Sequence, residues 1–124
     1  KAFVKFTHTT GKDTDPAGST STPSTTGNDV TFQAGVGIES IVTFANHEGV
    51  YQINYEETFS ASKIPTVIAF GGRGQVDNGF QGNTEVTVQL GIGTSDENGC
   101  RILSGDNDTN DLDNVREMAV IILG

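Results

Sequence analysis

Hydrophobic and polar residues alternate along most of this chain with the two-residue period of a β-strand. Residues 50–59 alternate most strictly, with Tyr51, Ile53, Tyr55 and Phe59 on one face. Residues 1–7 and 85–92 alternate in the same way, and no segment carries a helical apolar stripe. We therefore predict strands and no helix. The remaining predicted strands are residues 30–34, 38–44, 66–70, 100–103 and 115–123.

The last strand is apolar at every position from 118 to 123, where the sequence reads MAVIIL. Six residues are too few to cross a membrane but are a typical strand length. Because neither face is polar, we expect the strand to be central and covered on both sides. The chain's own core covers one side in this interpretation, and a second subunit is a candidate for the other.

Three polar segments separate the strands. Residues 9–28 contain no large apolar residue, and we predict a long polar loop that is too polar to pack. Residues 71–82 form a glycine-rich loop and residues 104–114 an acidic one. About eight short strands at this spacing predict one domain, residues 1–124, with an all-β fold: an antiparallel, jelly-roll-like β-sandwich.

Charge narrows the choice of partners. The formal net charge is −9, and the seven Lys and Arg residues are scattered. A phosphate backbone or an anionic membrane requires a basic stripe, so we expect neither nucleic acid binding nor membrane insertion. No stretch matches a signal peptide or a membrane span, and the chain begins at Lys1, which is consistent with processing or with a fragment.

Catalytic patterns are missing from the sequence, so we predict that the protein is not an enzyme. The single cysteine, Cys100, has no histidine linked to it by a motif and is interpreted as a small buried hydrophobe. Glu56 and Glu57 are adjacent, so an extended strand would send them to opposite faces and separate them as an acid and base pair.

Oxygen-bearing side chains in the acidic loop follow part of the EF-hand calcium pattern. Asp106, Asp108, Asn110 and Glu117 occupy positions 1, 3, 5 and 12 of that pattern. Asp111 stands where the pattern requires Gly, and the flanking segments are predicted strands. The sequence therefore favours a solvated turn that needs no cofactor, with these four residues as the calcium ligands in the alternative interpretation.

A mixed polar and aromatic set follows strand 66–70. An exposed ring can stack on a sugar while amides and a guanidinium bind its hydroxyl groups. We therefore take this set as a candidate ligand site, with an ordinary turn as the alternative. Its members are Arg73, Asn78, Phe80, Gln81 and Asn83.

Three segments resemble the distal domains of bacteriophage tail-fibre-type proteins. Residues 1–6, KAFVKF, resemble the entry strand "KAWVNF" of that family, with Phe3 in place of its Trp. Residues 38–41 and 49–59 resemble its "NVSSI…GTGDYTVNF" stretch, and residues 116–124 resemble its closing "VAVFG" strand. These motifs are framework strands, and the 9–28 loop is much longer than in the family. A pattern of Phe59 with Pro65 and an apolar final strand is also similar to H-type lectins.

The resemblance implies a virion appendage that forms a homotrimer and binds a glycan or other receptor on the host cell surface. We accordingly expect a structural, receptor-binding tail-fibre domain located in the virion or outside the cell. Two alternatives remain open at this point, a soluble lectin-like carbohydrate-binding module and a polysaccharide depolymerase.

Overall fold

The computed structural model describes residues 1–9, 15–62, 65–73, 86–90, 96–106 and 117–124, with the backbone alone for residues 71–73, 86–90, 105 and 106. These residues form nine β-strands and no helix. The strands are β1 (Ala2–His8), β2 (Thr20–Ser21), β3 (Val30–Val36), β4 (Ile38–Phe44), β5 (His47–Tyr55), β6 (Thr66–Arg73), β7 (Val86–Leu90), β8 (Gly99–Asp106) and β9 (Glu117–Leu123).

The strands make two antiparallel sheets. One has four strands in the order β3-β1-β9-β6, and the other has five in the order β2-β4-β5-β8-β7. The chain passes from the first sheet to the second at Gly37, whose φ of 73° suits a residue without a side chain. The predicted all-β, antiparallel architecture is confirmed, and the arrangement of the two sheets is sandwich-like.

A single hydrophobic core lies between the sheets. Phe6 of the four-stranded sheet and Tyr51 of the five-stranded sheet meet with ring centroids 5.3 Å apart. Each fully buried side chain of this size stabilises the fold by about 1.5–3 kcal/mol. The core members are Ala2, Val4, Phe6, Val30, Ile38, Ile41, Tyr51, Ile53, Tyr55, Cys100, Ile102, Met118, Val120 and Ile122.

The final strand is central, as predicted. β9 pairs with β1 on one side and with β6 on the other. Its inward residues Met118, Val120 and Ile122 are fully buried, whereas Ile121 and Leu123 are 36% and 43% exposed. The chain's own core covers only the inner face, and coverage of the outer face by a second subunit stays a prediction.

β5 ends at Tyr55, four residues earlier than predicted. The chain bends at Glu56 and Glu57, where the Glu56 amide donates to the Gly37 carbonyl at 2.9 Å. The Phe59 amide then donates to the carbonyl of Glu97, also at 2.9 Å. These bonds turn the chain onto neighbouring loops. Glu57 interrupts the inward series of the alternating pattern, so the sequence predicts a bend here but does not reveal the partners of these bonds.

Residues 15–28 pack more closely than their polarity suggests. β2 pairs with β4, and Ser21 is fully buried. The buried carboxylate of Asp29 accepts hydrogen bonds from the Thr43 hydroxyl at 2.6 Å and from the Gly18 amide at 3.0 Å. Hydrogen bonding therefore holds this segment where apolar side chains are lacking, and the prediction that it is too polar to pack is wrong for these residues. Residues 10–14 lie outside the described part.

Candidate interaction surface

The outer face of the four-stranded sheet is apolar. Six large apolar side chains are exposed among the described residues, and all six belong to strands of this sheet. Five of them are next to an inward-facing residue of their strand, and Val36 is the register partner of Phe3, which places all six on the side away from the core. We call this surface the apolar outer face; its six residues are Phe3, Val36, Ile68, Phe70, Ile121 and Leu123.

Strand register aligns four of these side chains in one row across the sheet. Phe3 pairs with Val36 of β3 on one side and with Ile121 of β9 on the other. Ile121 in turn pairs with Ile68 of β6. Directly opposed side chains on one face lie about 4.5–5.5 Å apart, so the row is a continuous ridge of hydrocarbon.

Small side chains flank Lys5 in the neighbouring row. Lys5 pairs with Ala34 and with Ala119, and Ala119 pairs with Phe70. A shallow groove of about 480 Å³ runs along β1, β3 and β9 at this place. The apolar outer face is therefore a ridge beside a groove.

The same face becomes polar at its far end. Thr7 pairs with Thr31 and with Glu117, and the Gln33 amide donates to the Thr7 hydroxyl at 3.2 Å. The surface thus has an apolar centre with a polar border on one side, which is the usual anatomy of a protein interface.

Acidic residues avoid this sheet. The chain has 16 Asp and Glu residues, yet its four strands contain only Glu117, which lies in the polar border. Two cationic residues, Lys5 and Arg73, belong to the same strands. The four-stranded sheet is therefore the least acidic described part of a strongly acidic molecule.

The outer face of the five-stranded sheet is different. The Arg101 guanidinium carbon lies 5.0 Å from the centre of the Phe44 ring, and Gln52 and Asn54 project outward from β5. A cation positioned over an aromatic ring shields the ring from solvent and is attracted electrostatically to its face. The two sheets thus differ in whether polar groups cover their outward apolar side chains.

The candidate sugar-binding residues fall mostly outside the described part. Arg73 belongs to β6, where the sequence predicted a loop, and its backbone pairs with Glu117. Asn78, Phe80, Gln81 and Asn83 lie outside the described residues. Whether Arg73 joins those four stays a prediction.

The two candidate calcium ligands that the structure describes belong to different sheets. Asp106 ends β8 of the five-stranded sheet, and Glu117 begins β9 of the four-stranded sheet. Asp108 and Asn110 lie outside the described residues. Within the described ranges, no three His, Cys, Asp or Glu residues are grouped to hold a metal ion.

Sequence reasoning missed a small cleft at the end of the sandwich. Glu56, Glu57, Thr58 and Phe59 line it together with Lys1 and Gly37, and its volume is about 260 Å³. Because β5 ends before Glu56, the alternation that would send the two glutamates to opposite faces of a strand does not apply, and both residues line the same cleft. The strand-breaking Glu57 was the available signal.

Cys100 is fully buried and free, as predicted. Burial raises the pKa of its thiol, which keeps the sulfur protonated at neutral pH. A protonated thiol without access to solvent is a poor nucleophile, so this residue belongs to the core.

Comparisons with known proteins return no relatives: no protein-family model, curated protein or solved structure matches this chain. Across the described ranges, the structure contains no helix of the length and apolarity that a membrane span requires.

Proposed function

We propose that this chain is a non-enzymatic, self-associating domain of the bacteriophage tail-fibre type. In this proposal it has a jelly-roll-like sandwich fold, forms a homotrimer and binds a glycan or other receptor on the host cell surface. It acts in the virion, outside the cell. The single observation that carries the proposal is the apolar outer face, since a surface of this kind marks a site of association.

The sequence resemblance and the surface support each other. The resembling segments include residues 2–6 of β1 and residues 117–123 of β9, which are the two central strands of the four-stranded sheet. These strands contribute Phe3, Ile121 and Leu123 to the apolar outer face. The proposal assigns these two strands the role of a framework for assembly.

Receptor binding in the proposal is multivalent. Weak sites on three symmetric copies act together at one cell surface and gain avidity without additional contacts. The candidate side chains come from residues 73–83 and include Arg73 and Phe80. Neither calcium nor another cofactor is required, although Asp106 and Glu117 remain the residues to vary if calcium stabilises the protein.

A glycan array with the unmodified, fluorescently labelled protein tests this function. We expect retention of a defined set of cell-surface glycans, and mass spectrometry of the retained glycans should find them intact. Shortened glycans would instead identify a polysaccharide depolymerase. A monomer that binds glycans would support the lectin-like alternative. An Arg73→Ala variant would test whether Arg73 takes part in binding.

A further inference from the structure

We propose that the apolar outer face is the surface through which copies of this chain pack against one another, so that its occupant is a second copy of the chain. This inference rests on the proposed function only for the number of copies in the assembly, which is three. The surface itself is assigned from the exposed residues, their register and the charge distribution.

The exposed apolar area of this face is large enough to suit contact with a second copy of the chain. A fully exposed aromatic side chain presents about 150–250 Å². With exposures between 36% and 58%, the six residues present roughly 500 Å² of apolar surface, at the upper end of the largest patches on monomeric proteins. The groove residues between them extend this area toward the roughly 800 Å² that each partner contributes to a standard interface.

Charge also favours a second copy. Two molecules with a net charge of −9 repel each other, and the repulsion is weakest where their acidic residues are farthest apart. The strands of the four-stranded sheet carry a single acidic residue, Glu117, so this sheet allows the closest approach of two copies. A basic partner would be drawn instead to the acidic surfaces elsewhere on the molecule.

The distribution of side chains suits a symmetric contact. The ridge that includes Phe3 and Ile121 crosses the full width of the sheet, and the polar border with Thr7 lies at one end only. Lys5 lies between two alanines, which leaves room for its hydrocarbon stem to cover apolar surface while its ammonium reaches water. Three copies related by a threefold axis can all direct this ridge toward the axis.

Light scattering of matched lysine variants tests the assignment. Ile121→Lys places a charge in the middle of the ridge, and we expect association to weaken at least about 30-fold, as for a central interface residue. Val42→Lys is the control, because Val42 lies on the outward side of β4 in the five-stranded sheet and is paired with Gln52. We expect this control to keep the mass of the unmodified protein. Circular dichroism and melting curves establish that both variants fold.

Disulfide trapping gives an independent result if Ile121→Lys fails to fold. An Ile121→Cys variant introduces one thiol at the proposed interface, while the native Cys100 is buried. We expect oxidation to yield a covalent dimer on a non-reducing gel. A Val42→Cys variant should yield far less of it under the same conditions.

The outcomes distinguish a wrong assignment of the surface from a failure of the proposed assembly. If the unmodified protein associates but Ile121→Lys leaves its mass unchanged and Ile121→Cys does not cross-link, the assigned surface is wrong and the proposed assembly stands. If the unmodified protein stays monomeric at high concentration, both the surface and the assembly are overturned. Loss of association in Ile121→Lys but not in Val42→Lys, together with cross-linking at position 121, supports both the assigned surface and the proposed assembly.

Discussion

Phe3 and Ile121 are register partners on adjacent central strands, and both side chains face away from the core, 43% and 36% exposed. Two large apolar residues side by side in the middle of a sheet are normally covered. In one copy of this chain they are not. We therefore expect this pair to be covered by another copy of the chain in the proposed assembly.

Replacing the side chains of Ile121 and Ile122, which are neighbours on β9, by alanine should lower the free energy of unfolding by very different amounts. Ile122 is fully buried, so we expect Ile122→Ala to lower the free energy of unfolding by about 2–5 kcal/mol. Ile121→Ala removes a side chain that lies outside the core, and we expect a loss below about 1.5 kcal/mol. Urea denaturation at the lowest workable protein concentration measures both values with the least contribution from association. Equal losses would contradict the orientation of this strand.

Acid should weaken the contact that holds residues 15–21. Burial alone would raise the pKa of Asp29, but hydrogen bonds from Thr43, Gly18 and Ala17, together with nearby His8, lower it from its ordinary value of 3.8. A group whose pKa is lower in the folded state binds fewer protons there than when unfolded. Its stabilisation is therefore complete above pH 3.8 and is lost as the pH falls through the lower, folded-state pKa.

The Asp29→Asn variant tests this dependence. At pH 7 we expect it to unfold about 1–3 kcal/mol more easily, because a charged acceptor of several hydrogen bonds is lost. The difference from the unmodified protein should shrink as the pH falls below 3.8. Asp15→Asn, at an exposed position in the same segment, is the control, and we expect its free energy of unfolding at pH 7 to match that of the unmodified protein. A difference that stays constant down to pH 2 would exclude the proposed role of the Asp29 carboxylate.

Gly99 should not tolerate a side chain. A Cβ atom at this position would lie 2.5 Å from the Ile53 carbonyl oxygen on the paired strand, and a backbone oxygen cannot easily move aside. We expect Gly99→Ala to cost about 1–3 kcal/mol in thermal or urea unfolding. Gly27→Asn is the control, because φ is 79° there, Asn tolerates that region and no atom lies within 4 Å of the added Cβ. If Gly99→Ala melts like the unmodified protein, the close approach of β8 to β5 at Gly99 is wrong.

Cys100 should be protected from thiol reagents in the folded protein. Its side chain is fully buried and its pKa is raised by burial, so both access and thiolate formation are limited. We expect one thiol per chain to react in urea and almost none under native conditions. A Glu39→Cys variant, at an exposed position of β4, should add one rapidly reacting thiol. Rapid native labelling of Cys100 itself would show that the core opens.

The sequence pattern predicted the strands well because alternation directly reflects which face is buried. β4 has the bounds expected from Ile38 to Phe44, and the inward residues of β5 are the expected ones up to Tyr55. The ordering of residues 15–21 was missed because Asp29, Thr43 and Ser19 stabilise it by hydrogen bonds between residues distant in sequence. No local periodicity records such contacts.

The apolar outer face was only half predictable. Residues 66–70 and 118–123 are apolar on both faces, and for the final strand this pattern predicted coverage on both sides. Periodicity could not reveal that these two strands are neighbours, or that Phe3 and Val36 continue the same row. That information comes from strand order and register, which depend on contacts between distant parts of the chain.

The molar mass of the unmodified protein in solution tests the central claim most directly. Size-exclusion chromatography with light scattering, over a hundredfold range of concentration, should give three times the 13.0 kDa chain mass, falling only at the most dilute end. A mass of 13.0 kDa throughout that range would contradict the account, because the apolar outer face would then be stable in water without a second copy.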